Sequence, residues 1–210
     1  LTIQKGEFVY LIGKTGSGKS SLLKILYGEL RLKEGNAVVA GFNLIKLRKR
    51  KILALRRKLG IVFQDFQLLT DRTVEENLKF VMRATGWKDK KKVKARASEL
   101  LEKVGMAEKG DKFPHQLSGG EQQRIAIARA LINDPEIILA DEPTGNLDPE
   151  TTEEIMRLLF EISGTGKTIL MATHDYDMMQ RFPSRTLRCE DEAVTEINLA
   201  EAPEFKMNRF

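Results

Sequence analysis

Residues Gly13-Lys-Thr-Gly-Ser-Gly-Lys-Ser20 place three glycines, two lysines and three hydroxyls in one short stretch. Glycine lets backbone N–H groups turn inward and wrap an anion. The spacing Gly-x4-Gly-Lys-Ser is that of a phosphate loop. Gly13, Thr15, Gly16, Ser17 and Gly18 form the cradle. Lys19 is placed to reach the β- and γ-phosphates of a nucleoside triphosphate, the Ser20 hydroxyl to ligate Mg²⁺, and Ser21 to touch the α-phosphate. Farther along, Ile137–Glu142 is an apolar run ending in two acids. Asp141 is placed to hold Mg²⁺ through water. Glu142, one residue on and pointing differently, is placed to act as general base on an attacking water. Leu117-Ser-Gly-Gly-Glu-Gln-Gln-Arg124 contains a second cradle, Ser118-Gly119-Gly120, opening a helix. The first loop already serves the chain's own nucleotide, so the second makes best sense across a symmetric pair of chains. The plainer alternative, a helix-capping Ser118, accounts for the serine but leaves both glycines unexplained.

Strands and helices must hold these groups. Phe8–Ile12 is an apolar run of strand length that feeds the phosphate loop. From Ser20 to about Leu30 apolar residues recur at helical spacing. Ala37–Ala40 and Ile61–Phe63 read as strands, and Val74–Thr85, Lys91–Val104 and Glu121–Leu131 as helices. Ile137–Ala140 and Thr168–Ala172 read as buried strands around a helix at Thr151–Ile162. Continuous apolar strands alternating with helices imply a parallel sheet covered on both faces. The nearly all-helical pattern between Gln64 and Leu131 implies a helical insertion. The expected organisation is a single domain. Residues 1–65 and 132–198 form a nucleotide-binding core, 66–131 a helical subdomain, and 199–210 a frayed polar tail.

The chain has 210 residues and a formal net charge of +5. That length buries a core without metals or disulfides. The one cysteine, Cys189, excludes an internal disulfide; it and Trp87 read as packing. No apolar run is long enough to span a membrane. The first residue is Leu, so the protein is expected to begin farther upstream. Bases cluster in two runs: Lys46 to Lys58 contains eight and no acid, and Lys88 to Arg96 contains six and one Asp. They read as solvated helix faces or as a surface for anionic headgroups or an acidic partner. Nothing resembles a DNA-groove reader, so no nucleic-acid partner is expected.

These motifs in this order resemble the ABC ATPases. Gly13–Ser20 and Ile137–Glu142 match Walker A and Walker B, and Leu117–Arg124 matches the signature motif. Gln64 matches the Q-loop, Gly145–Asp148 the D-loop, and His174 the switch histidine. The resemblance implies an α/β P-loop NTPase fold, RecA-like, with a parallel-sheet core and an inserted helical subdomain. It implies Mg²⁺-dependent hydrolysis of ATP by a head-to-tail homodimer. Ser118, Gly119, Gly120 and Asp148 would then serve the ATP of the facing chain. Gln64 would join Ser20 and Asp141 at the metal, and His174 would touch the γ-phosphate. Gln123 and Arg124 read as supports of the signature helix. The family's adenine-stacking aromatic upstream of Walker A has no match, because Phe8 and Tyr10 lie in the strand. Asp141–Asp148 resembles the group of FtsE, LolD and MacB ATPases, and Leu55–Asp65 with Leu68–Val74 most resembles the cell-division family FtsE. That resemblance implies a peripheral protein on the cytoplasmic face of the cell membrane, driving an FtsX-like transmembrane subunit. LolD- or MacB-type transport and an ATP-gated scaffold with incidental hydrolysis stay open as alternatives. A DNA-maintenance ATPase does not fit, since no long coiled coil separates Walker A from the signature. Phe66, Leu68 and Leu69 offer either the helical lobe's own core or a socket for a partner helix.

Overall fold

A computed structural model describes residues 1–198. Six strands form the main sheet in the order β4-β5-β6-β1-β7-β8. They are β1 (Phe8–Ile12), β4 (Leu59–Phe63), β5 (Ile137–Asp141), β6 (Thr168–Ala172), β7 (Arg185–Glu190) and β8 (Ala193–Ile197). All neighbours are parallel except the β7–β8 hairpin. Helices α1 (Lys19–Leu26), α5 (Gly119–Ala130), α6 (Pro149–Gly164) and α7 (Tyr176–Arg181) lie in the connections between these strands. Strand β1 is buried on both faces. Phe8, Tyr10 and Ile12 join one apolar cluster, and Val9 and Leu11 the other. This is the period-two alternation of a strand with no solvent face.

The stretch read as helical holds α3 (Val74–Ala84), α4 (Lys90–Lys103), two short 3₁₀ turns and α5. Helix α5 packs on both α3 and α4 and also lies along β4, so it joins the helical layer to the sheet. Leu78 and Met82 of α3, Leu100 of α4 and Ile125 of α5 share one cluster with residues of β1, β5 and β6.

Two expectations need correction. The strand read at Ala37–Ala40 shrinks to β2 (Val38–Val39), which pairs antiparallel with β3 (Phe42–Asn43) outside the main sheet. Ala40, at φ 46°, begins a left-handed two-residue turn that reverses the chain. The first helix stops at Leu26, because Gly28 (φ 72°) turns the chain out of helical geometry. Helix α2 (Lys49–Arg57) falls within the first basic run, which was read as a helix face, whereas the hairpin β7–β8 is not announced by the sequence pattern. The tail at 199–210 lies outside the described residues.

Candidate active site

Parallel strands bring their C-terminal ends to one rim. Asp141 pairs with Phe63 on one side and Ala172 on the other, and Ala172 is the partner of Leu11. The chain leaves these strands through Gly13, Gln64, Glu142 and Thr173–His174, which therefore stand side by side. Open α/β sheets bind ligands at this rim. Lys19, Ser20, Gln64, Asp141, Glu142 and His174 line a single cleft there of about 850 Å³. Gly13 and Thr15 line it too; Gly16, Ser17, Gly18 and Ser21 do not.

Helix α1 starts at Lys19, and its N-terminus is aimed at the loop. The buried Lys19 ammonium donates to the carbonyls of Gly13 (2.7 Å) and Lys14 (3.2 Å). The Ser17 hydroxyl is buried with no hydrogen-bond partner among the described residues. Its carbonyl accepts from the Cys189 thiol at 2.9 Å, so Cys189 braces the back of the loop as well as filling core space. The Ser20 hydroxyl lies beside the Asp141 carboxylate, and both line the cleft. Burial pushes the Asp141 carboxyl above its ordinary range, against the pull of the Ser20 hydroxyl, and the charge of Glu142 adds to the rise. A hydroxyl and a half-buried carboxylate side by side are a donor pair suited to Mg²⁺. No group of three or more His, Cys, Asp or Glu among the described residues could hold a metal. Nucleotide phosphates would have to supply further ligands.

Glu142 sits at φ 47°, a left-handed backbone that costs a side-chain-bearing residue roughly 1–3 kcal/mol. Its N–H donates to the Ala172 carbonyl at 2.9 Å, which pins it to β6. His174 Nδ1 lies 3.1 Å from Glu142 Oε2. Gln64 exchanges two 3.3 Å bonds with Asn146, side chain to side chain and Asn146 Nδ2 to the Gln64 carbonyl. Asn146 lines the cleft, and sequence reasoning assigned it no role of its own. Arg129 was missed as well. From the last turn of α5 its guanidinium donates to the carbonyls of Phe66 (2.8 Å) and Gln67. Those residues sit at φ 58° and 49°. Its spacing from Gln64 carries no local signal, so only the fold reveals the contact.

The signature segment stands apart from this cleft. Ser118 caps α5 in a capping box with Glu121: its hydroxyl accepts the Glu121 N–H (3.2 Å) and its own N–H bonds Glu121 Oε2 (2.9 Å). A side chain at Gly120 would strike Thr151 Cγ2 at 2.3 Å, so packing of α5 against the start of α6 demands a glycine there. Asp148 caps α6, accepting the Thr151 N–H at 3.0 Å. Ser118, Gly120 and Asp148 thus each have a folding role of their own. Arg124 does support the helix, bonding the Val104 carbonyl (3.2 Å) and Glu154 (2.9 Å). Gln123 does not: it is fully buried and neither end of its amide finds a partner among the described residues. Tyr10 and Phe8 are core residues, and the Tyr10 hydroxyl donates to the Phe182 carbonyl at 2.7 Å.

Residues 1–145 match the family model described as ABC transporter. The chain belongs to the ABC transporter ATP-binding family. It is an ATPase of that family. The cell division ATP-binding protein FtsE of Streptococcus pneumoniae is 46% identical over 194 residues, 92% of this chain and 84% of that protein. FtsE of Mycobacterium tuberculosis is 48% identical over 185 residues, covering 88% and 80%. A solved dimeric ATP-binding cassette, in a post-hydrolysis state with ADP and Pi, superposes with a TM-score of 0.81 at 36% identity, over 94% of this chain and 88% of its own. In this ABC ATPase the phosphate loop, the Ser20–Asp141 pair and the Glu142–His174 pair share one rim. The signature cradle lies outside it.

Proposed function

We propose that this ABC ATPase is the nucleotide-hydrolysing subunit of a membrane complex acting in cell division, peripheral on the cytoplasmic face and coupled to an FtsX-like transmembrane partner. Residues 66–131 serve as its helical subdomain. The observation that carries the catalytic reading is the 3.1 Å contact of His174 with Glu142 beside the buried Lys19 and the Ser20–Asp141 pair. The phosphate loop and Lys19 hold the β- and γ-phosphates. Ser20, Asp141 and Gln64 would hold Mg²⁺ together with the phosphates, and the bound ion would supply charge neutralisation. Glu142 takes a proton from water as its oxygen bonds the γ-phosphorus. The bond from that phosphorus to the bridging oxygen breaks, and ADP keeps the electron pair. His174 holds the Glu142 carboxylate and reaches the γ-phosphate. Two features support a homodimer: the Ser118-Gly119-Gly120 cradle lies outside the chain's own cleft, and the similar cassette is dimeric. Ser118, Gly119, Gly120 and Asp148 would meet the facing chain's ATP.

Glu142→Gln tests the base. It should bind ATP, accumulate as an ATP-bound dimer and lose about 10²–10⁴-fold in turnover. Near-normal turnover would reject the assignment. Mixing Lys19→Ala with Ser118→Arg chains tests the dimer. One of the two sites is then intact, and ATPase should return from two inactive proteins. No recovery in verified heterodimers would count against the trans role.

A further inference from the structure

The two basic runs stand outside the nucleotide cleft, and the fold brings them together. A methyl group added at Gly86 would meet the Arg57 guanidinium at 3.0 Å, two residues before Lys88. The Arg57 guanidinium therefore reaches the turn that leads into α4. Among the described residues, Lys49, Arg50, Lys51, Lys90, Lys91 and Lys92 are all exposed and form no ion pair. These six are the first turns of α2 and α4. Helix α2 has no acid in its first turn and no side-chain cap, and α4 has only its cap Asp89. Cations at a helix N-terminus oppose the macrodipole. The charge thus works against local stability, a conflict expected where a surface serves binding.

Leu53 of α2 is 63% exposed. Its neighbours three and four residues away on the helix are Lys49, Arg50, Arg56 and Arg57. An apolar side chain ringed by bases suits an interface that is anionic outside and hydrocarbon beneath. It has no use on a nucleic-acid backbone. Trp87, the aromatic ring beside the patch, packs on the core and gives its indole N–H to Asn133 at 3.0 Å, so it offers no surface for stacking bases.

We propose that this face docks on anionic phospholipid headgroups, with Leu53 as its apolar foot. The biological setting rests on the membrane-complex reading above; the binding itself does not. The test is flotation of the full chain with vesicles of phosphatidylglycerol and phosphatidylcholine, against pure phosphatidylcholine. The protein should float with the anionic vesicles alone, less so as salt rises. A base at such a surface is worth about fivefold in partitioning. Replacing Lys49, Arg50, Lys90 and Lys91 together by Gln should weaken binding on the order of 100-fold or more. The same variant should keep its ATPase and hold or raise its Tm, since these bases oppose the dipoles of their helices. Leu53→Ser should weaken binding with every base in place. Equal binding to both vesicle types, or wild-type binding by the quadruple variant, would overturn the proposal. So would a DNA duplex or an acidic peptide that strips the protein from anionic vesicles at equal concentration of charge. Failure to float with ATPase and dimer intact would remove this inference and leave the catalytic reading standing.

Discussion

Arg129 is the support whose loss should be felt farthest from its own position. It holds Phe66 and Gln67, two consecutive left-handed residues that follow Gln64. Two such residues store about 2–6 kcal/mol of strain. Two hydrogen bonds from a charged donor return about 3–6 kcal/mol. The terms are comparable, so Arg129 holds the loop in a shape it would otherwise leave. Burial pulls the Arg129 guanidinium below its usual range but does not discharge it. In Arg129→Met the loop relaxes and strain relief offsets much of the lost bonding, so stability falls by only about 0–2 kcal/mol. Catalysis suffers more, because a displacement of Gln64 by about 1 Å can cost 10²-fold. Steady-state ATPase should show kcat reduced about 10- to 100-fold with KM for ATP little changed, since the phosphate loop is untouched. A double-mutant cycle with Gln64→Ala should be strongly non-additive. Unchanged kcat, or simple additivity, would refute action through Gln64.

Asp141→Asn should abolish Mg²⁺-dependent turnover yet raise the Tm of the nucleotide-free chain. The folded state raises this carboxyl, so it binds more protons than the unfolded state and loses stability as pH rises. The gain should therefore be present at pH 7 and vanish below about pH 4, where both forms are neutral. Gln123→Met removes an unpartnered buried amide and should stabilise by roughly 1–3 kcal/mol in denaturant melts; destabilisation would mean the amide has a partner. Leu69 and Phe80, whose ring lies under the guanidinium of Arg72 three residues after Leu69 (4.8 Å), are 36% and 46% exposed. Changing both to Asp should leave folding and ATP binding intact and abolish co-purification with the membrane subunit.

The strands that end in chemistry were legible because each is a continuous apolar run stopped by Gly13, Gln64 or Asp141. The phosphate loop and paired acids were legible for the same local reason. Helix α2 was legible only as a charged helix face, because its bases leave only Leu55 buried and hide the apolar period. Hairpin β7–β8 turns through Asp191 and Glu192, both at positive φ, with no glycine to mark it. The socket residues divide: Leu68 packs on the core, Phe66 is half-buried near Gly119, and Leu69 faces outward. Arg129 and Asn146 could not be found from spacing, since each acts on a loop more than sixty residues earlier.

Strand β1 sits between β6 and β7, so Phe8 pairs with Ile169 and Val9 with Arg185. Synthesis proceeds from the N-terminus, and the strand bearing the phosphate loop emerges early with neither neighbour yet made. Such long-range parallel pairing is slow and leaves apolar edges exposed in the interim. The nucleotide loop is made well before β6 and β7, and it can gain its shape only after both have left the ribosome. ATP available during synthesis can thus act on folding only at its final step, as a ligand that selects the completed sheet.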